Sequence, residues 1–256
     1  MTSTATEQTF TAPARYTGSV FATITAPTAT VRVKVDATAP VARVRISTPE
    51  DATSPAAEAV RNARVEQHGQ DLTVSVPEFA ARPVQAATGG PVQYVSSRGM
   101  VIVNGVVQSS GPVQASGGGV EVHVTLPAGS AVNVRTVSGE VRVLGVAAYA
   151  HVETVSGSVA VAEAARVTAV TVSGGIRAGV VTDRLDAEST SGDVRVTDHA
   201  GRSCRIRTVS GKVTVETAPG ARGAVDVYSS SGDVTLFGTS ALTVEARTVS
   251  GDLRRY

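Results

Sequence analysis

The sequence predicts an all-β protein, a parallel β-solenoid (β-helix-like) of about seven 17–21-residue repeats, preceded by a strand-rich N-terminal cap with one short helix. Three observations predict it. An eight-residue phrase, TVSGEVRV at 136–143, returns as TVSGSVAV at 154, TVSGGIRA at 171, STSGDVRV at 189, TVSGKVTV at 208, SSSGDVTL at 229 and TVSGDLRR at 248. The glycines of these phrases, Gly139, Gly157, Gly174, Gly192, Gly211, Gly232 and Gly251, stand 18, 17, 18, 19, 21 and 19 residues apart. A short, nearly constant period marks a unit that cannot bury its own face and must stack on its neighbours. Finally, apolar and polar residues alternate on both sides of each Ser-Gly pair, the pattern of a strand with one face buried.

In chain order, residues 1–15 read as a flexible polar tail. Residues 16–108 form an N-terminal β-rich cap region, with SVFATIT, TVRVKVD, ARVRIST, DLTVSVP and MVIVNGVVQ as strands. Ser54 and Pro55, ahead of an Ala-rich run, start the one short helix. Asn104-Gly105 signals a type I′ hairpin. Residues 109–119, SSGPVQASGGG, are a Gly/Ser-rich connector, and because a strand rather than a helix follows them, a phosphate-cradling role fails on context. Residues 120–256 are the β-solenoid repeats, either continuous with the cap or separate from it. LPAG at 126–129 is internal with no apolar tail behind it, so it is a turn built on Pro127 and Gly129 and not a wall-sorting signal.

Aligning the repeats on their glycines assigns the faces. Val132, Val134 and Thr136, then Ala150, Val152 and Thr154, then Cys204, Ile206 and Thr208, lie on an inward face that ends in a hydroxyl. By the same phase Ser138 and its equivalents point inward, forming an internal hydroxyl ladder bonded to corner backbone groups. After the glycine the second and fourth residues are again apolar in six of the seven copies, as Val141 and Val143 are. A row of hairpins would satisfy this pattern too, with Val134 opposite Val143. The outward charges favour the coiled stack, where equivalent residues lie about 4.8 Å apart and should alternate in sign or be neutral, as they largely do. Arg135 falls beside Glu153, Glu188 beside Arg207, Arg205 between Asp186 and Asp226, and Lys212 between Asp193 and Asp233; Asp233 beside Asp252 is the exception. The cap would cover the open edge of the first coil.

Composition excludes several function classes. Of 256 residues 42% are hydrophobic but only 4% aromatic, so the core is built of Val, Ala, Leu and Ile. A net charge of +1 argues against a nucleic-acid or anionic-membrane partner, which needs a concentrated basic surface. No segment is apolar and long enough to span a bilayer. The N-terminus carries no basic n-region and no signal-peptide apolar run, which makes the cytoplasm the default location, with non-classical export as the other route. The single Cys204 excludes an internal disulfide and, by its phase, is buried. His68, His123, His151 and His199 read as solvated, without zinc spacing. Asp193, Asp233 and Asp252 recur after the corner, yet Glu140, Ser158, Gly175 and Lys212 hold the equivalent places, so they read as corner charges rather than a calcium or catalytic ladder. No catalytic residue, cofactor site or metal site emerges. The corner glycines are structural, with a positive φ expected at each. One feature points outward: Val137, Val155, Val172, Val209 and Val249 precede the corner serines, with Thr190 and Ser230 completing an apolar row that serves as a candidate interaction stripe.

Recurrent TVSGDV-type phrases at this spacing, preceded by VEVHVTLPAGSAVNV and by RVRISTPEDATSPAAEAVRNARVEQHGQDLTVSVPE, resemble the bacterial putative-adhesin domain family of unknown function, common in actinobacteria. The resemblance covers the chain from about residue 16. It implies a β-helical fold, no enzymatic activity and a structural role for the corners from Ser138-Gly139 to Ser250-Gly251. The expected function is a non-enzymatic scaffold presenting an elongated surface to a protein, an envelope polymer or a second copy of itself. The alternatives are a β-helical polysaccharide-cleaving enzyme and a structural oligomerisation module.

Overall fold

Alternating Val and Thr at period two favours extended backbone, and the computed structural model is accordingly built almost wholly of strands. It describes residues 6–79, 92–95, 101–103, 106–109 and 119–256. The N-terminal part contains β1 (Thr6–Thr11), β2 (Phe21–Thr25), β3 (Ala29–Val35), β4 (Arg43–Thr48), helix α1 (Pro55–Arg61), β5 (Arg64–His68), β6 (Asp71–Ser75), β7 (Val92–Val95), β8 (Val101–Val103), β9 (Val106–Ser109) and β10 (Val120–Leu126). The repeats supply β11 (Ala131–Arg135), β12 (Val141–Thr154), β13 (Val159–Thr171), β14 (Ile176–Ser191), β15 (Val194–His199), β16 (Ser203–Ser210), β17 (Val213–Thr217), β18 (Ala224–Ser231), β19 (Val234–Phe237), β20 (Thr243–Ser250) and β21 (Leu253–Arg255).

Each Ser-Gly corner joins two parallel ladders. The strands entering the corners form one ladder, where Val134 lies beside Val152, and Leu185 beside Cys204 beside Val225. The strands leaving them form the other, where Val143 lies beside Val161, and Val196 beside Val215 beside Leu236. Val134 pairs with Ile24 and Val152 in parallel, and not with Val143, so the hairpin row is excluded and the solenoid stands. The inward residues of both ladders merge into one core of Val, Ala, Ile and Leu. Each such Val or Leu contributes roughly 1.5–3 kcal/mol by leaving water, so a thin core of small side chains suffices when it is repeated coil after coil.

The N-terminal strands enter the stack itself. β2 pairs in parallel with β11 and β3 with β12, so residues 21–35 make one further coil ahead of the first Ser-Gly repeat. On the other side of that coil β6 pairs in parallel with β2, and β10 with β3. β10 and β11, consecutive in sequence, are therefore held apart in space by the β2–β3 coil. The short link between them crosses that coil on Pro127–Ser130, where Gly129 adopts φ 73° and the fully buried Ser130 hydroxyl accepts from the Val20 N–H at 2.9 Å and donates to the Pro127 carbonyl at 2.7 Å.

Antiparallel strands close this end: β4 on β10, β1 on β4, and β5 on β6. Helix α1 packs on β1, β4 and β10 through Ala56, Ala59 and Val60. Its start is as expected, with the Ser54 hydroxyl accepting from the Ala57 N–H at 3.0 Å and Pro55 in the first turn. Thr6–Thr11, expected within a loose tail, is instead the edge strand β1, because its alternating pattern pairs it in register with Arg43–Thr48. β8 and β9 pair antiparallel, with Val103 opposite Val106, while the Asn104-Gly105 turn between them and most of the 109–119 connector lie outside the described residues. Among the described residues no helix is long and apolar enough to cross a membrane.

Candidate interaction surface

The corners decide which side chains reach solvent. Leading into each one, a row of small hydroxyls, Thr136, Thr154, Thr171, Ser189, Thr208 and Ser229, is buried as its phase predicts. Thr136 donates to the Pro27 carbonyl at 3.2 Å and Thr248 to the Gly232 carbonyl at 3.1 Å, whereas Thr154, Thr171, Ser189 and Ser229 find no partner among the described residues. The corner serines do not follow them inward. Ser156, Ser173, Ser191, Ser210, Ser231 and Ser250 are exposed, because the chain leaves the strand's two-residue period as it turns.

The corner glycines are required for a reason other than the expected one. Only Gly211 and Gly251 among the seven have positive φ in the left-handed half, at 140° and 151°. What all seven share is closeness: a Cβ on Gly157 would lie 1.9 Å from the Gly139 carbonyl oxygen, on Gly174 2.0 Å from that of Gly157, and on Gly232 2.2 Å from that of Gly211. Glycine stacks on glycine along the rod, and the backbones nest too tightly for any side chain.

The corner aspartates reinforce the same seam. Asp193 accepts from the Lys212 N–H at 2.8 Å, and Asp233 accepts from the Asp252 N–H at 3.0 Å. The like-charged Asp233 and Asp252 are thus bridged by a charge-assisted hydrogen bond to backbone, which offsets their repulsion. On the ladder that enters the corners the outward charges pair as expected: Arg135 meets Glu153 at 3.1 Å, Arg207 meets Glu188 at 3.6 Å, and Arg205 reaches Asp186 at 3.8 Å and Asp226 at 3.5 Å. His151 also bonds Glu153 at 2.8 Å, and with Arg135 it holds that carboxyl below its ordinary range.

Along the outer edge of the corners the five valines stand in solvent. Val137, Val155, Val172, Val209 and Val249 are 42%, 46%, 48%, 53% and 73% exposed, so neighbouring arginine stems do not cover them. Their backbones are fixed: the Ser156, Ser173 and Ser191 N–H groups donate at 2.8 Å to the carbonyls of Val137, Val155 and Val172. Thr190 and Ser230 continue the row. Two apolar neighbours extend it, Val170 near the end of β13, two residues before Val172, and the exposed Tyr228, two residues before Ser230. Period-two counting would have included both had the row two positions ahead of the valines been read as a surface.

His199 departs from its expected place in a solvated loop. It ends β15 in a row with Val181 and Thr217, fully buried, and neither ring nitrogen has a partner among the described residues. Burial pushes its pKa down, opposed by the neighbouring Asp198. Cys204 lies inward as predicted, with its thiol pushed up to about 12 by burial and by Asp186 and Asp226. Among the described residues no cluster of three or more His, Cys, Asp or Glu could hold a metal ion.

A stack of nearly identical coils, held by a glycine seam and carrying an exposed apolar row, defines a β-solenoid repeat domain. The chain belongs to the Toastrack DUF4097 family, whose model matches residues 62–255. The match begins after β2 and β3, later than the resemblance from residue 16 implied, although those strands lie inside the stack. The chain is similar to a putative adhesin from Bacteroides fragilis NCTC 9343, at 10% identity over 99% of this chain and 97% of that one, with a TM-score of 0.57, a likeness of fold. It is also similar to a putative cell adhesion protein from Clostridium sporogenes ATCC 15579, at 10% identity over 98% of this chain and 99% of that one, TM-score 0.45. A third similar structure is a putative lipid binding protein from Parabacteroides distasonis ATCC 8503, at 11% identity over 98% of this chain and 96% of that one, TM-score 0.47. No curated protein matches the chain.

Proposed function

We propose that this protein is a non-enzymatic scaffold that presents an elongated, rigid edge to a partner protein, with Val137, Val155, Val172, Val209 and Val249 as the docking row. The observation that carries this reading is the exposure of all five valines on coils whose backbones are hydrogen-bonded in place. A preorganised apolar row loses little conformational entropy on binding, so its buried area is converted to affinity efficiently. The Bacteroides fragilis neighbour, a putative adhesin of the same fold, is consistent with a surface that works by contact.

The test pairs Val155→Asp with Val172→Asp. Chromatography with light scattering on the purified protein, and affinity capture from its native organism, are expected to show an association that both variants abolish while melting normally. An association that survives both substitutions would move the docking surface elsewhere. A panel of polysaccharides is expected to show no turnover, and measurable cleavage of any of them would favour the β-helical enzyme instead. If wild-type protein forms only a stable oligomer and captures nothing else, the oligomerisation module is the better description.

A further inference from the structure

The outer face of the other ladder carries a column of arginines that follows from register alone. Arg32 lies beside Arg142, Arg142 beside Ala160, Ala160 beside Arg177, and Arg177 beside Arg195. Where the column is interrupted, at Ala160, the surface sinks. Ala160, Ala162 and Gly179 floor a shallow trough of about 380 Å³, banked by Arg142 and Leu144 on one side and by Arg177 and Arg195 on the other. Packing keeps the floor bare, since a Cβ on Gly179 would stand 2.1 Å from the Ala162 carbonyl oxygen.

The electrostatics of the trough are one-sided. No carboxylate lines it. Arg142 meets Glu140 at 2.8 Å and Arg195 meets Glu216 at 3.3 Å, both from neighbouring rows, whereas Arg177 has no ion-pair partner among the described residues. Two compensated arginines thus flank a free one, about 10 Å and about 5 Å away by strand spacing. Exposed ion pairs are weak, so Arg142 and Arg195 can exchange their carboxylates for those of a ligand at little cost.

We propose that this trough binds a linear carboxylated polysaccharide, one acidic sugar lying over Ala160 and Ala162 with its carboxylate on Arg177 and its chain neighbours reaching Arg142 and Arg195. A planar guanidinium grips a carboxylate through two parallel hydrogen bonds, which a free arginine on a rigid strand is placed to do. The single file of cations suits a linear polyanion rather than a plane of lipid headgroups. No aromatic side chain lines the trough to stack a base, and the chain's net charge is only +1, so a nucleic acid fits poorly. The shallow Ala and Gly floor admits the flat face of a hydroxylated ring but offers no deep pocket to a hydrophobic anchor of a protein partner. This surface is separate from the valine row, and either can fail without the other.

The experiment is calorimetric titration of the whole protein with oligogalacturonate, its methyl ester, inorganic polyphosphate and a single-stranded DNA oligonucleotide. Oligogalacturonate is expected to bind and its uncharged ester not to. Arg177→Ala and Ala160→Glu, both outward on intact strands, are expected to weaken binding about tenfold or more while melting like wild type, and Arg207→Ala, an exposed arginine on the other ladder, to leave it unchanged. The proposal is overturned if oligogalacturonate does not bind, if either trough variant binds it as wild type does, or if the ester, polyphosphate or DNA is the tighter ligand.

Discussion

A Cβ on Gly192 would stand 2.1 Å from the carbonyl oxygen of Gly174 in the preceding coil. No rotamer relieves that contact, because both partners are backbone. Gly192→Ala must therefore push two coils apart, and an overpacking cost of about 1–3 kcal/mol is expected in urea unfolding. Gly175→Ala is the control. Its Cβ would meet only the Asp193 carbonyl oxygen at 3.5 Å, an ordinary contact, so that variant should keep wild-type stability or gain slightly. Equal destabilisation by both would show that the seam is not what glycine serves.

The valine row and the core are separable by the same chemistry applied one turn apart. Val155→Asp places a charge in solvent and is expected to change stability by about 1 kcal/mol or less. Val152→Asp, at a fully buried position three residues earlier on β12, leaves an unpaired carboxylate in the core and should abolish cooperative folding. Circular dichroism melts of the two variants decide it.

Cys204 is expected to be inert toward thiol reagents in the native state. Its thiol is fully buried and its pKa is pushed to about 12, so the reactive thiolate is scarce at neutral pH. Labelling should appear only with denaturant and track unfolding; prompt stoichiometric labelling of the folded protein would contradict the inward register of β16.

His199 gives the stack a sensitivity to mild acid. Burial lowers its folded pKa below the ordinary 6.5, so beneath that pH the unfolded chain takes up a proton that the folded chain refuses. The stabilisation is fully present above pH 6.5 and declines as pH falls toward the folded pKa. The urea midpoint of wild type should thus drop between pH 7.5 and pH 5, and His199→Leu, which fits the row of Val181, should flatten that drop. A variant with the wild-type pH slope would place the sensitivity in another group.

The repeat, its period and the facing of nearly every strand residue were legible in the sequence, because a strand's two-residue alternation and a fixed glycine spacing are local and survive without coordinates. Cys204, the buried Thr row and the Arg135 and Glu153 pairing all follow from that phase. Ser156 is misread because it lies where a strand ends and the period-two rule stops applying once the backbone turns, whereas His199, expected in a loop, is carried inward by β15 through a register shift between Val196 and His199. The glycine seam was assigned to dihedral freedom, since a distance between Gly174 and Gly192 can be known only when two coils are laid on each other.

By itself, then, the chain determined a parallel stack of coils with charges outside and valines on the corner edge, through patterns repeated within twenty residues. The tertiary structure alone decided that β2 and β3 stand between β10 and β11, because coils of such similar shape and hydrogen-bonding edge can pair in more than one order, and only the packing of the closed end selects among them. It also decided that Arg142, Arg177 and Arg195 share one trough. Those arginines are 35 and 18 residues apart along the chain, and parallel in-register pairing brings them onto one face.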